Sequence, residues 1–171
     1  MRKNTANMIT VLRGVLVPLF LLSAYSGYRY LALFIFILAS ISDFLDGYIA
    51  RNYDQITVFG KFMDPLADKM LVISAMCFFC DADRFPGWAI AIIAFREFAV
   101  SGLRLVASQK NIVISAAKLG KLKTAATMVC LAAMIIISHS RLFDIICTYS
   151  ILLTTIGSGI EYFISNKNVF S

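Results

Sequence analysis

Four aspartates form two closely spaced pairs inside apolar stretches in the first half of the chain. Asp43 and Asp46 are three residues apart, and Asp64 and Asp68 are four apart, so each pair would share one face of a helix. An aspartate at the centre of a membrane-spanning helix costs roughly 2.5–3.5 kcal/mol on insertion scales, and less near a helix end. Four such residues therefore need a functional or a pairing explanation.

A bound divalent cation would explain the aspartates, because converging carboxylates repel one another unless positive charge lies between them. Neither His nor Cys occurs between positions 43 and 68, so ligation would be by oxygen alone, as hard cations such as Mg²⁺ or Mn²⁺ prefer. Two such ions suit phosphoryl transfer, since they stabilise both the attacking and the leaving oxygen. The alternative is that the aspartates form ion pairs with Arg51, Lys61 and Lys69.

The elements that would position the aspartates are long and apolar. Of the 171 residues, 60% are hydrophobic and only 15% are charged, with a mean hydropathy of +0.80, which is typical of a membrane protein. A crossing needs roughly 20 apolar residues. The sequence thus predicts an all-α membrane bundle of six transmembrane helices in one domain, residues 1–171, with a short N-terminal interfacial segment. The predicted spans are 8–26, 30–51, 61–80, 86–107, 119–138 and 142–164.

The arrangement of these spans would bring the two aspartate pairs together. The short connection 52–59 makes the second and third spans antiparallel neighbours, so all four carboxylates can converge near one membrane surface. Thirteen of the 16 Lys and Arg residues are nearer that surface, leaving Arg29, Arg84 and Arg141 on the other. The positive-inside rule then predicts a multi-pass protein with cytoplasmic termini and a cytoplasmic active site.

The net charge, the cysteines and the N-terminus do not point to a different class of protein. The net charge of +6 does not indicate a nucleic-acid binder, because the basic residues punctuate apolar spans rather than cluster on a water-facing surface. Cys77 and Cys80 form a CxxC spacing, but no second Cys or His pair completes a zinc site. Arg13 and Pro18 interrupt the first apolar run, which favours a retained helix over a signal peptide.

The aspartates belong to a longer pattern with fixed spacing. It reads Asp43-Phe-Leu-Asp46-Gly47-Tyr-Ile-Ala50-Arg51, then eight residues, then Gly60-Lys-Phe-Met-Asp64-Pro-Leu-Ala-Asp68. This string resembles the signature of the CDP-alcohol phosphotransferase family, and all eight fixed positions of that signature are matched. The resemblance implies the fold of that family, which has six transmembrane helices, usually in a homodimer, and an active site with two divalent cations.

The resemblance also implies roles for individual residues. By matching position, Asp43, Asp46 and Asp64 would be metal ligands, and Asp68 would be both a metal ligand and the general base. The residues expected around the CDP moiety are Gly47, Ala50, Arg51 and Gly60, together with Asn7 and Thr10, which with Arg13 look like the N-terminal element of the family. The alternative for this element is that Asn7 or Thr10 caps a helix and Arg13 extends to the membrane interface.

Basic residues in the second half of the chain could bind an acceptor that carries its own phosphate. The candidates are Arg96, Arg104, Lys118, Lys121 and Lys123. Arg grips phosphate through two donors and Lys acts as a point charge. Arg96 and the neighbouring Glu97 would be costly in a membrane unless they were functional or paired. The alternative for the three lysines is attraction to anionic lipid headgroups, or topology alone.

The strings around these basic residues, ArgGluPheAlaValSerGlyLeuArg and LysLeuGlyLysLeuLysThrAla, look like those of a bacterial branch of the family whose acceptor is glycerol 3-phosphate. The reaction so implied is transfer of a phosphatidyl group from CDP-diacylglycerol to sn-glycerol 3-phosphate in the bacterial plasma membrane, with membrane lipids as further partners. Three alternatives stay open: another acceptor, such as inositol phosphate, serine or phosphatidylglycerol; a cation transporter; and a structural membrane scaffold.

Overall fold

The computed structural model describes residues 5–53, 58–109 and 118–166, with side chains over 12–42, 69–107 and 119–166. These ranges form six α-helices and contain no strand, which confirms the all-α prediction. Each helix coincides with one predicted span, and no boundary differs by more than three residues. The helices are α1 Thr5–Tyr25, α2 Arg29–Tyr53, α3 Val58–Asp81, α4 Gly87–Gln109, α5 Lys118–Ile136 and α6 Arg141–Ser165.

Large apolar side chains are exposed on the described helices. Leu22, Phe95, Val129 and Leu153 are 65%, 76%, 67% and 71% exposed, which would be a liability in water and suits contact with lipid. Within the described residues, two helices, Leu119–Ile136 and Arg141–Ser165, are long and apolar enough to cross a membrane. The apolar stretches described in α1 and α2 are shorter.

The chain comprises two compact units, and the first contains Met1–Phe78 with Ile135–Ser138. Its α1 ends in a Schellman motif, in which the Tyr28 N–H donates to the Ser23 carbonyl at 3.0 Å and the Gly27 N–H to the Ala24 carbonyl at 3.1 Å. Gly27 has a φ of +81°, which glycine adopts without the steric penalty of a Cβ atom. The turn therefore folds α2 back onto α1, and the two helices pack against each other.

Aromatic contacts form the core of the first unit. Phe20 of α1 and Phe36 of α2 are fully buried, with ring centroids 5.7 Å apart in a tilted arrangement. Tyr25 at the end of α1 meets Phe78 of α3 edge-on, with centroids 5.1 Å apart. Other buried apolar residues of the first unit are Leu16, Val17, Ala32, Ala39, Leu71, Ala75 and Met76. The hairpin of α1 and α2 is thereby held by packing as well as by its turn.

The second unit contains Phe79–Met134 with His139–Ser171. The turn before α4 repeats the Schellman pattern, since the Arg84 N–H donates to the Phe79 carbonyl at 2.8 Å and the Asp83 N–H to the Cys80 carbonyl at 3.0 Å. Asp83 takes the position with positive φ, at 56°. Helix α4 then packs against α6. Their shared apolar core consists of Val100, Leu103, Ala107 and Tyr162.

Candidate active site

The four aspartates lie on two helices of the first unit. Asp43 and Asp46 are in the second half of α2, and Asp64 and Asp68 are in the first half of α3. Both helices run continuously through these positions, so each pair keeps the spacing that puts it on one helix face. The side chains of all four lie outside the described residues, and their role as metal ligands stays a prediction.

The residues predicted to surround the CDP moiety also lie on helices. Gly47, Ala50 and Arg51 follow the first aspartate pair on α2, and Gly60 precedes the second pair on α3. Their side-chain environment falls outside the described residues. Among the side chains that the structure does describe, no group of three or more His, Cys, Asp or Glu residues could hold a metal ion.

The N-terminal element lies on α1. Because α1 begins at Thr5, Asn7 and Thr10 are inside the helix rather than flanking it, so an N-cap role does not account for them. Their side chains lie outside the described residues. Arg13 is only 1% exposed, and this burial argues against the alternative in which its guanidinium extends to the membrane interface.

In the second unit, α4 and α5 bring together two of the predicted acceptor-binding cations around one carboxylate. The Arg96 Nη1 donates to Glu97 Oε1 at 3.1 Å, and the Lys123 Nζ donates to the same oxygen. The side chains of Arg96, Glu97 and Lys123 are 13%, 15% and 11% exposed. From the sequence, Arg96 and Glu97 had to be functional or paired, and the structure shows that Glu97 pairs with both Arg96 and Lys123.

Helix α6 supplies polar partners that the sequence did not reveal. The Arg96 Nη2 donates to the Ser158 Oγ at 2.9 Å, and the Arg104 Nε donates to the Tyr162 hydroxyl at 2.9 Å. The Arg104 guanidinium also lies 5.3 Å from the centroid of the Tyr162 ring, within the range of a cation–π contact. Ser158 and Tyr162 are themselves buried. Two predicted cations of α4 are therefore held by α6.

Arg96, Glu97, Lys123 and Arg104, here called the basic cluster, carry more positive than negative charge. Arg96, Lys123 and Arg104 carry three positive charges and Glu97 carries one negative charge, so the net charge of the four residues is +2. Glu161 is the other acidic residue in this part of α6, and counting it lowers the net charge to +1. A phosphate monoester carries about −1.5 to −2 at neutral pH. The cluster could therefore attract a phosphate monoester.

Helix α5 begins with lysines, although the N-terminus of a helix favours acidic residues. Lys118 is its first residue, Lys121 follows one turn later, and no acidic residue is present in the first turn. Cations at this end of the helix dipole are unfavourable by a few tenths of a kcal/mol each. Lys121 is exposed, and the side chain of Lys118 lies outside the described residues. Such a helix terminus would attract an anion through both its N–H groups and its lysines.

A second polar cluster of this unit was not predicted. Arg84 donates through Nε and Nη2 to the Asp144 carboxylate at 2.7–3.2 Å and through Nη1 to the Met134 carbonyl at 2.7 Å. Its guanidinium also lies 5.2 Å from the centroid of the Phe79 ring. The His139 Nδ1 is 2.9 Å from the same carboxylate. These residues connect the start of α6 to the turn before α4 and to the end of α5.

A cavity of about 420 Å³ borders this second cluster. Its wall includes Trp88, Arg141 and Cys80 as well as Arg84 and Asp144. Cys80 is not in a disulfide. Arg84 and Arg141 belong to the three basic residues that the sequence assigns to the membrane surface opposite the aspartates.

Comparison with known proteins gives matches over nearly the whole chain. The family model described as CDP-alcohol phosphatidyltransferase matches residues 3–157. A Bacillus subtilis protein named CDP-diacylglycerol--glycerol-3-phosphate 3-phosphatidyltransferase is 35% identical over 95% of each chain. A Rickettsia prowazekii protein of the same name is 36% identical over 98% of each chain. A probable phosphatidylglycerophosphate synthase of Mycobacterium tuberculosis is 38% identical over 93% of this chain and 79% of its own length.

Proposed function

The chain belongs to the CDP-alcohol phosphatidyltransferase family, and from this premise we propose that it transfers the phosphatidyl group of CDP-diacylglycerol to sn-glycerol 3-phosphate. The products are phosphatidylglycerophosphate and CMP. The observation that carries the proposal is the complete eight-position signature from Asp43 to Asp68, in a chain that is 35–38% identical to relatives named for this reaction. The protein is accordingly a transferase of phospholipid biosynthesis.

The donor set fits two divalent cations. Asp43, Asp46, Asp64 and Asp68 offer carboxylate oxygens alone, on two helices of one compact unit, which is the ligand chemistry that Mg²⁺ and Mn²⁺ prefer. When bound, the two ions would stabilise negative charge on the pyrophosphate oxygens during the transfer. Without a cation, four neighbouring carboxylates would repel one another. The number of aspartates thus supports metal binding rather than simple ion pairing.

Asp68 would act as the general base as well as a metal ligand. Its carboxylate would take the proton from a hydroxyl of the acceptor, whose oxygen forms a bond to the phosphorus of the phosphatidyl group. The bond between that phosphorus and the bridging oxygen of CMP breaks, and CMP leaves with the electron pair. The small residues Gly47, Ala50 and Gly60 would let the CDP moiety approach the helix backbones, with Arg51, Asn7 and Thr10 contacting its polar groups.

The basic residues of the second unit would bind the phosphate of the acceptor. The cluster of Arg96, Lys123, Arg104 and Glu97 has a positive net charge, which would attract a phosphate monoester. Lys118 and Lys121 would add attraction at the start of α5. An acceptor without a phosphate would leave this excess charge unbalanced. This observation favours glycerol 3-phosphate over serine.

The membrane setting completes the proposal. The exposed apolar side chains, the two helices of spanning length and the family together indicate a membrane protein. We infer further that all six helices cross a bacterial plasma membrane, with both termini and the active site on the cytoplasmic side, because the basic residues are concentrated there. The lipid donor would enter between helices, and the enzyme would act as a homodimer.

The experiment is an assay of CMP release by the purified protein with CDP-diacylglycerol and Mg²⁺, with glycerol 3-phosphate, inositol phosphate or serine as acceptor in parallel. Asp68→Asn should lower the rate at least 100-fold, in the range that a lost general base removes. Asp81→Asn, at the other end of α3 and outside the signature, is the matched control and should stay active.

The outcomes separate the alternatives. Release that requires glycerol 3-phosphate and is lost in Asp68→Asn supports the proposed reaction. Release with a different acceptor keeps the chemistry and replaces the substrate. Cation uptake into vesicles without any CMP release would instead make the protein a transporter, and wild-type activity in Asp68→Asn would remove this residue from the mechanism.

A further inference from the structure

One face of α6 touches both arginines that α4 contributes to the basic cluster. Ser158 and Tyr162 are four residues apart on α6, and each accepts a hydrogen bond at 2.9 Å, from Arg96 and Arg104 respectively. The two arginines are eight residues apart on α4, so they lie about two turns apart on the helix that packs against α6. Both guanidinium groups are therefore hydrogen-bonded to side chains within about one turn of α6.

Gly159 lies between these two contacts and lets the side chain of Arg96 approach the α6 backbone closely. A Cβ atom at position 159 would lie 3.1 Å from the Arg96 Cγ and 3.5 Å from its Nε. The first distance is tighter than ordinary van der Waals contact, so a methyl group would displace the arginine by a few tenths of an ångström. At Gly157, two residues earlier on the same helix, an added Cβ would meet nothing within 4 Å.

We propose that Ser158, Gly159 and Tyr162 form a seat on α6 that positions Arg96 and Arg104 for the phosphate of the acceptor. The three residues are positioning residues, because they act through the arginines and need not touch the substrate. The inference rests on the proposed function, in which these arginines bind glycerol 3-phosphate. It assigns to α6, which lies outside the aspartate signature, a part in the affinity for the phosphorylated acceptor.

The physical basis is pre-organisation. An arginine side chain has many rotamers, and a ligand that must select one of them binds more weakly. The hydroxyl of Ser158 fixes one end of the Arg96 guanidinium while Glu97 fixes another, and each interaction uses a different Nη atom. Tyr162 holds Arg104 through both its hydroxyl group and its ring. The arginines thus keep one arrangement before the acceptor arrives.

The test compares Gly159→Ala with the matched control Gly157→Ala in the CMP-release assay, with KM and kcat determined for each substrate. Gly159→Ala should raise the KM for glycerol 3-phosphate about tenfold, as expected when a binding group shifts by a fraction of an ångström. The KM for CDP-diacylglycerol and the kcat should stay within about twofold of wild type. Gly157→Ala should match wild type in all three values.

A double-mutant cycle establishes whether the effect passes through Arg96. In an Arg96→Ala background, Gly159→Ala should change the KM for glycerol 3-phosphate by less than about twofold, because the group that it displaces is absent. An undiminished effect in that background would show that the glycine acts elsewhere. Tyr162→Phe provides a second variant that keeps the buried ring and removes only the oxygen that accepts from Arg104, and it should raise the same KM severalfold.

The results test the positioning role of Ser158, Gly159 and Tyr162 separately from the proposed reaction. If the wild type releases no CMP with glycerol 3-phosphate, the proposed function is wrong, and the positioning role that rests on it falls with it. If the wild type is active but Gly159→Ala and Tyr162→Phe both match Gly157→Ala, the reaction stands and the seat is refuted. If Gly159→Ala does not fold, Tyr162→Phe alone decides, and an unchanged KM in it overturns the inference.

Discussion

Removing one partner of the buried Arg84–Asp144 ion pair should strongly destabilise the second unit, and Asp144→Asn tests this directly. The two side chains are 11% and 5% exposed, and Arg84 donates to both carboxylate oxygens. Breaking a buried pair by removing one partner costs roughly 3–5 kcal/mol, because the other charge is left uncompensated. Asparagine keeps the size and one accepting oxygen, so we expect a loss of about 3 kcal/mol, at the lower end of that range.

The loss should be visible as a shift in the melting temperature. In a protein of this length, each kcal/mol corresponds to roughly 2–4 °C, so Asp144→Asn should melt about 6–12 °C below wild type. The assay heats the purified protein in detergent to a series of temperatures. The fraction that stays folded at each temperature is measured by size-exclusion chromatography with fluorescence detection. A melting temperature within about 2 °C of wild type would refute the reasoning, since a shift that small corresponds to 1 kcal/mol or less.

Two control variants test whether the loss of stability comes from leaving a buried charge without its partner. The His139 side chain contacts the same carboxylate but is 60% exposed, and exposed pairs contribute about 0–1 kcal/mol, so His139→Ala should lower the melting temperature by less than about 4 °C. The double variant Arg84→Met with Asp144→Leu should recover much of the loss, because neither charge is then buried without its partner.

Three further predictions concern the metal and the cores of the two units. Chelation of divalent cations with EDTA should reduce CMP release to background, and added Mg²⁺ or Mn²⁺ should restore it; undiminished release after chelation would contradict the carboxylate site. Phe20→Ala removes a fully buried ring from the core between α1 and α2 and should cost about 3–5 kcal/mol in thermal unfolding, whereas Leu19→Ala, at a residue that is 45% exposed, should cost far less. Thr155→Val removes a fully buried hydroxyl that has no hydrogen-bond partner among the described residues, so it should leave the melting temperature unchanged or raise it, and a clear decrease would indicate a partner for that oxygen.

The helices can be predicted closely from the sequence because each is a long apolar stretch bounded by local breaks. The turn at Gly27 and the break from Asp81 to Pro86 are both visible as changes in composition, and the structure places helix ends there. Hydropathy predicts the starts of α1 and α3 three residues later than Thr5 and Val58, because hydropathy windows lose resolution at polar helix ends. Local patterns thus determine nearly all of the element boundaries.

The aspartate pairs could be found because their spacing is a local property of two helices. The contacts of Arg84 with Asp144 could not, because the partners are 60 residues apart and nothing near either of them indicates the other. The same holds for Arg96 with Ser158, 62 residues apart, and for Lys123 with Glu97. The small residues Gly157, Ser158 and Gly159 of α6 do not indicate these contacts either, because such a run is equally typical of close helix packing.

The sharing of the Glu97 carboxylate also bears on how the protein is made. In the proposed membrane arrangement, α4 enters the bilayer with Arg96 and Glu97 already adjacent, so these two residues enter as a neutral pair. When α5 follows, Lys123 meets a carboxylate that was synthesised 26 residues earlier. Helix α6 arrives last with the hydroxyl groups of Ser158 and Tyr162. The order of the chain therefore gives Arg96 and Lys123 an acidic partner as soon as each is synthesised, whereas Arg104 meets Tyr162 only when α6 follows.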